Sequence, residues 1–284
     1  VWRQTFRDYE VVVVDDGSTD ETATYLSSLA DRVKVITQPN LGPGLARNNG
    51  AENARGEYLA FLDSDDLWFP WTLETVNDAI NEHGRPALVA ASLVSFRDAA
   101  ELDQVNHSKT KTDFYPDYLS SSDSDCFVGA GMTFVRRDRF IDARGFTARE
   151  MNLEDHDLIL RLGTAEGFAQ IVEPPTLGWR RHSTTLSDRR RRSFQGCRYL
   201  IENEQCGVYP GGKGRARARH KIITRHIRPW AVTFARAGEW RLAWSLYRST
   251  FRWNFSLQRW RFLMGFWSSF HESLFVADTP RRGA

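Results

Sequence analysis

Four valines in a row, Val11 to Val14, run directly into the paired acids Asp15 and Asp16. The run is short, β-branched and bounded by a turn, which predicts a buried strand over Tyr9 to Asp15. GSTDETATYLSSLA follows with helical character, with Ser18 or Thr19 as N-cap and acids in the first turn. VKVITQPN (Val33 to Asn40) predicts a second strand, and GPGLARNNGAENARG a helix opened by Pro43 and stopped at Gly56. EYLAFLDSDD then gives a third strand, PWTLETVNDAINEHG a third helix ending at Gly84, and PALVAASLVSF a fourth strand. Strands alternating with helices point to an α/β fold, with a mostly parallel sheet covered on both faces. After about Ser187 the pattern changes. An arginine-rich, glycine-containing stretch up to Arg219 predicts a loop-rich connection. Aromatic residues at helical spacing then predict a helical C-terminal part, with Gly238 and Asn254 as breaks. The expected division is residues 1–187 for the α/β domain and 188–284 for the remainder.

Composition adds limits. The 284 residues are 41 % apolar and 26 % charged, as in an ordinary soluble globular chain of one large or two small domains. A formal net charge of +2 hides an uneven distribution: acids cluster in the first half, arginines in the last hundred residues. Three widely spaced cysteines (Cys126, Cys197, Cys206) lack metal-ligand spacing and suit a reducing cytoplasm. No apolar run reaches the ~18 residues of a membrane span. No signal peptide is visible, and a cytoplasmic location is expected. Six of the ten tryptophans (Trp230, Trp240, Trp244, Trp253, Trp260, Trp267) follow Pro229, interleaved with arginines. Such a segment either packs helices together, with arginines outside, or forms an amphipathic surface for peripheral membrane contact with a lipid-linked acceptor. The runs RRRR and RARARHK sit in no nucleic-acid-binding module, so no nucleic-acid partner is expected.

In open α/β sheets, ligands bind beyond the carboxyl ends of the strands. Asp15 and Asp16 close one predicted strand; Asp63, Asp65 and Asp66 close another. If the strands are neighbours, up to five carboxylates share a rim. Two carboxylates about 4 Å apart repel by roughly 4 kcal/mol at an effective dielectric near 20. A bound cation relieves that repulsion. Mg²⁺ or Mn²⁺ suits the rim, since such ions take one or two carboxylates and complete their shell with phosphates and water. The acids therefore suggest a metal–diphosphate site. Polar turns in which Asp caps the next helix are the alternative for either stretch alone.

VVVVDDGSTDET, PNLGPGLARNNGAENARGEYLAFLDSDD, LEDHDLILRLGTAEGF and WRRHSTTLS occur here in the order and spacing of the family 2 inverting glycosyltransferases. Residues 1–187 resemble that family, whose fold is the Rossmann-like GT-A sheet. The resemblance implies a nucleotide-diphosphate sugar as donor and a divalent metal, Mn²⁺ or Mg²⁺, as cofactor. It makes DSD, Asp63 to Asp65, the metal-binding motif. Asp65 would coordinate the metal, with Asp63 near the ribose and the metal-bound oxygens. Asp15 and Asp16 would read the nucleotide, Asp16 through its base. An inverting transfer also needs a base for the acceptor hydroxyl and stabilisation of the leaving diphosphate. Asp155, with Glu154 beside it, matches the family's catalytic acid pair. Asn152 as N-cap would put both acids in a helix's first turn, which is also where acids commonly stand for structural reasons. Asp157 reads as a structural partner of Arg161 on the exposed face. Arg180 and His182 match a block that approaches the diphosphate or metal. Arg47 either meets a phosphate or lies on the surface. CFVGAGMTFVRRDRF reads as a strand whose Gly129 and Gly131 either let backbone approach a sugar or mark a bulge.

The family's opening strand, with a PxYN-like segment, has no counterpart before VWRQTFRDYE, so the resemblance implies an N-terminally truncated domain. The QxxRW motif of processive members is absent, which points to single-sugar transfer in polysaccharide or glycoconjugate synthesis. A sugar-phosphate nucleotidyltransferase, or an inactive fragment that binds a partner, are the competing readings.

Overall fold

The computed structural model describes residues 1–29, 31–124, 126, 128–181 and 186–266. The chain forms two compact units, Val1–Glu150 with Glu154–Ser183, and Met151–Leu153 with Thr184–Ala284.

The first unit begins with β1 (Val12–Asp15), α1 (Thr22–Ser27), β2 (Lys34–Thr37) and α2 (Pro43–Glu52). Next come β3 (Tyr58–Ala60), β4 (Leu67–Trp68), α3 (Thr72–Glu82) and β5 (Leu88–Phe96). The unit closes with β6 (Lys111–Tyr115), β7 (Thr133–Arg136), α4 (Arg137–Asp142), α5 (Glu154–Arg161) and β8 (Phe168–Arg180). β1 and β2 form a parallel pair, with Val13 opposite Val35. The other strands form a mixed sheet in the order β3-β7-β5-β8-β4, with β6 also on β8. β5 and β8 run parallel, but their register shifts between Ala90 and Ser92, so that Ala90 faces Gln170 and Ser92 faces Pro175. The core lies between this sheet and α3. Thr72, Thr75, Val76 and Ala79 recur at helical spacing on the buried face of α3. Val76 and Ala79 of this face cluster with Val89, Met132, Phe134, Ile171 and Leu177, with Trp68 stacked on Phe134 at 5.5 Å.

Several local expectations change. The valines of β1 are half-buried rather than core, because β1 pairs on one edge only among the described residues. α1 starts at Thr22, where the Asp20 carboxylate accepts from the Thr22 N–H, not at Ser18 or Thr19. Gly129 and Gly131 fall in a tight turn, with a 3₁₀ segment at Ala130–Met132, and the strand starts only at Thr133. A short helix replaces its predicted continuation from Arg137.

The second unit is helical: α6 (Leu186–Gln205), α7 (Ala216–Arg236) and α8 (Trp240–Ser256). The expected loop-rich connection is therefore largely helix. Arginine is a good helix former, and α6 buries Ser193, Cys197, Leu200 and Ile201 at helical spacing. Gly238, at φ 75°, ends α7 as expected. Asn254 does not break α8: it is buried, and its amide donates to the Thr250 carbonyl at 3.1 Å, so the chain turns only at Leu257–Gln258. Arg219, from the RARARHK run, is buried against Glu204. The tail aromatics pack among themselves, Tyr247 on Phe266 at 4.4 Å and Trp253 on His220 at 4.5 Å, while Trp244 and Trp260 stay exposed. Trp267 lies outside the described residues. No helix among the described residues is long and apolar enough to cross a membrane.

Candidate active site

Within the first unit, a cavity of about 750 Å³ opens between the loop after β3, the turn before β7, the start of α5 and the walls of β5 and β8. Arg47 of α2 organises its acidic end. One guanidinium nitrogen donates to Asp63 at 2.7 Å and another to Glu154 at 2.9 Å, joining segments 107 residues apart. Burial works against this cation, but the two carboxylates carry its pKa above the ordinary value. The position of α2 is set by Asn48, which donates to the Phe146 carbonyl and accepts from the Phe146 N–H at 2.9 and 2.8 Å. Gly145 lies so close to the Asn48 side chain that a Cβ would collide with it, and its φ of 60° favours glycine as well. Arg161 grips the same loop through the Ala143 and Gly145 carbonyls, and is itself held by Asp157 at 2.7 Å. Asp157 therefore has the predicted partner but not the predicted exposure, since its side chain is 0 % exposed.

α5 starts at Glu154, preceded by Leu153 at φ 70°, so Asn152 does not stand at its cap; its amide donates instead to Ser193. Glu154 and Asp155 occupy the first turn. Burial and the Asp155 charge raise the Glu154 pKa, against the pull of Arg47. Asp155 goes the other way. Burial favours its neutral form, but the His156 imidazole at 2.6 Å and the His156 N–H hold its carboxyl well below the usual range. The same pairing raises His156, against burial. The second Asp155 oxygen accepts from the Ala130 N–H at 3.2 Å. Gly129 and Gly131 lie beside these acids: a Cβ at Gly129 would be in ordinary contact with that oxygen at 3.6 Å, and one at Gly131 with Asp66 at 3.5 Å.

The five acids of the expected rim do not all converge. Asp63 and Asp66 line the cavity; Asp15, Asp16 and Asp65 do not. Asp15 is buried and accepts from the Ser18 N–H at 2.9 Å. Asp16 accepts from Gln38 (2.7 Å) and from the N–H groups of Leu41 (2.9 Å) and Gly42 (2.8 Å). Those bonds outweigh burial and lower its pKa, and they fix the loop that opens α2. Asp65 is exposed at the surface of the turn. Arg180 reaches this turn from β8: its N–H donates to Asp66 at 2.9 Å and its Nε to the Asp65 carbonyl at 3.1 Å. Its guanidinium lies over the Phe96 ring. His182 lies outside the described residues. A larger, more open cavity of about 970 Å³ sits beside Val11 and Lys34, at the opening ends of β1 and β2, away from these acids.

A family model of glycosyl transferase family 2 matches residues 1–143. The chain belongs to glycosyl transferase family 2. The chain is 49 % identical over 76 residues to the succinoglycan biosynthesis protein ExoW of Rhizobium meliloti (strain 1021), covering 25 % of this chain and 24 % of that one. It is 41 % identical over 76 residues to the glycosyltransferase YibD of Escherichia coli (strain K12), covering 26 % of this chain and 22 % of that protein. The matched segments thus span about a quarter of these relatives. Among solved structures, S. aureus TarS 1-349 in complex with UDP-GlcNAc aligns with a TM-score of 0.61 at 18 % identity, over 83 % of this chain and 67 % of that one. The fold of the chain is thus GT-A.

Among the described residues, no group of three or more His, Cys, Asp or Glu side chains is placed to hold a metal ion. In the Asp63–Asp65 turn, Asp63 spends one oxygen on Arg47 and stays 43 % exposed, and Asp65 is exposed, so the turn offers the one or two carboxylates that a cation of the Mg²⁺ or Mn²⁺ type takes. Two residues that shape the site, Asp113 and Trp179, do not stand out in the sequence, whereas Asp66 is there one of the expected rim acids. Trp179 shows in the sequence only as the residue before an arginine.

Proposed function

We propose that the glycosyltransferase moves one sugar at a time from a nucleotide-diphosphate sugar to an acceptor hydroxyl, with inversion, in polysaccharide or glycoconjugate synthesis. The observation that carries this reading is the Arg47 bridge, which brings the DSD turn and the Glu154–Asp155 pair to one cavity. The succinoglycan assignment of ExoW supports the pathway class, and the UDP-GlcNAc complex of TarS supports the donor class.

In this reading Asp155 is the base. Its low pKa keeps it ionised throughout the working pH range, and the oxygen beside Gly129 faces the cavity. As the acceptor oxygen bonds to the anomeric carbon, its proton passes to Asp155, and the bond from that carbon to the diphosphate oxygen breaks with its electron pair. Glu154, held by Arg47, keeps the end of α5 in place. Asp65 and Asp63 would hold the divalent cation, which when bound neutralises charge on the diphosphate. Asp15 and Asp16 set the turn where the nucleotide base is read, and Arg180, bonded to the Asp65–Asp66 turn, would serve the diphosphate, the role the family resemblance also gives to His182. The nucleotidyltransferase reading gains no support, because nothing in it requires acids at the start of α5.

The test is thermal stability of the protein with UDP, dTDP and GDP, each with and without Mn²⁺, beside Asp65→Ala. A nucleotide at 100 times its dissociation constant adds about 2.7 kcal/mol. The expected result is a Mn²⁺-dependent rise in Tm for one nucleotide, absent in Asp65→Ala. No rise with any nucleotide would overturn the assignment.

A further inference from the structure

Beyond the acids and Arg47, the cavity is walled by β5, β6 and β8, and this wall has a different character. Leu177 and Trp179 are two apart on β8, so they share a face, with Leu93 opposite Leu177. Trp179 is 40 % exposed, and it is the tryptophan that lines this cavity. Other tryptophans near the sheet are occupied: Trp68 stacks on Phe134, and Trp71 on Phe69 at 4.9 Å. Among the described residues the Trp179 indole has no such ring partner. An apolar wall ending in an open aromatic face, in a cavity that also holds the proposed base, is built for a ligand with one apolar face.

The charges narrow the ligand further. Asp63, Asp66, Asp113, Glu154 and Asp155 line the cavity, and Arg47, already shared by two of them, is the one cation among the described lining residues. A donor diphosphate brings its own cation; a carboxylated or phosphorylated acceptor ring would not, and would be repelled. A neutral pyranose fits both features. Its axial C–H groups form a face that lies against the electron-rich indole, and its edge of hydroxyls donates to carboxylates. Resting on the transferase reading above, we infer that Trp179 is the platform on which an uncharged acceptor pyranose stacks beside Asp155.

Saturation-transfer NMR on the full chain tests this with methyl β-glucoside, methyl β-galactoside, methyl N-acetyl-β-glucosaminide and methyl β-glucuronide, with and without UDP and Mg²⁺. At least one neutral glycoside receives saturation on its C–H face. Trp179→Ala weakens its binding by about tenfold, comparable to the loss of one aromatic stacking partner, while Trp179→Phe keeps most of it. The glucuronide binds more weakly than the neutral rings and gains in Asp113→Asn. The inference is overturned if no neutral glycoside binds under either condition, if Trp179→Ala binds as the wild type does, or if the glucuronide binds as well as the neutral rings. A parallel UDP melting shift in every variant separates the two readings. Trp179-dependent glycoside binding without any UDP response removes the donor assignment and leaves the platform. A UDP response without glycoside binding does the reverse.

Discussion

Each unit of the chain has a buried arginine held by carboxylate, and the two are built to different ends. In the helical unit Arg219 meets Glu204 through two bonds, at 2.7 and 3.1 Å, and spends its remaining nitrogen on the Pro210 and Gly212 carbonyls at 2.7 and 2.9 Å. Both side chains are almost sealed, at 6 % and 5 % exposure. In the α/β unit Arg47 divides itself between Asp63 and Glu154, each bonded once, and Asp63 remains 43 % exposed. The first arrangement satisfies its charges within the protein and ties the start of α7 to the turn before it. The second leaves carboxylate oxygens facing a cavity. A buried ion pair is weak evidence of function in itself; what distinguishes Arg47 is the unspent bonding capacity of its partners.

The sharpest way to break this comparison is to remove each arginine in turn. Arg219→Met strands Glu204, with only the His220 ring at 3.1 Å to answer it. Breaking such a pair costs about 3 kcal/mol or more. The expected outcome is a large drop in stability by urea melts, with UDP affinity per folded molecule unchanged. Arg47→Met costs less, about 2 kcal/mol at neutral pH, because Glu154 can take up a proton. Its pKa is already raised, and Arg47 is the charge that restrains it. A carboxyl whose folded pKa lies above its unfolded value loses stability as pH rises through the folded pKa. Arg47→Met stability should therefore fall more steeply than wild type from pH 5 upward, within roughly the range expected for raised carboxyls. Nucleotide binding should weaken with it. Unchanged nucleotide binding in Arg47→Met would place Arg47 with Arg219, as a structural group.

The same contrast marks what could be read along the chain. Strands and helices of the α/β unit were legible because their signals are local: the valine run before Asp15, Pro43 opening α2, and the 3.6-residue spacing of Thr72, Thr75, Val76 and Ala79. The acids at the start of α5 were legible for the same reason. α6 was not. Its arginines hide a buried stripe of Ser193, Cys197, Leu200 and Ile201, and glycines at 207, 211 and 212 suggest a loop that is in fact confined to the turn before α7. Nor could spacing reveal where charges find partners. Asp16 bonds to the backbone of Leu41 and Gly42, Asp157 is buried because Arg161 reaches the Ala143 and Gly145 carbonyls, and Arg47 joins Asp63 to Glu154, 107 residues beyond the arginine in the chain. Each of these depends on contacts between distant segments, which a local pattern does not encode.

The smallest expected effect comes from a charged pair that resembles the other two only on paper. Arg55 lies 3.5 Å from Glu10, but its side chain is 91 % exposed. Exposed pairs of this kind contribute about 0–1 kcal/mol, so Arg55→Ala should shift stability very little. Glu10 has a second job. Its carboxylate accepts from the backbone N–H groups of Arg55 and Gly56 at 2.5 and 2.9 Å, fastening the segment before β1 to the turn before β3. Those bonds, led by the one from the Arg55 N–H, lower the Glu10 pKa despite partial burial. A carboxyl with a depressed folded pKa stabilises above its unfolded pKa and loses that contribution as pH falls through the folded value. Glu10→Gln should thus cost about 1 kcal/mol at neutral pH, and the gap from wild type should close on acidification below the ordinary glutamate range. Melting curves of the two variants from pH 7 down to pH 3 measure both effects. A larger loss from Arg55→Ala than from Glu10→Gln would show that the pair acts by charge after all, and that exposure is a poor guide to which arginines matter in this fold.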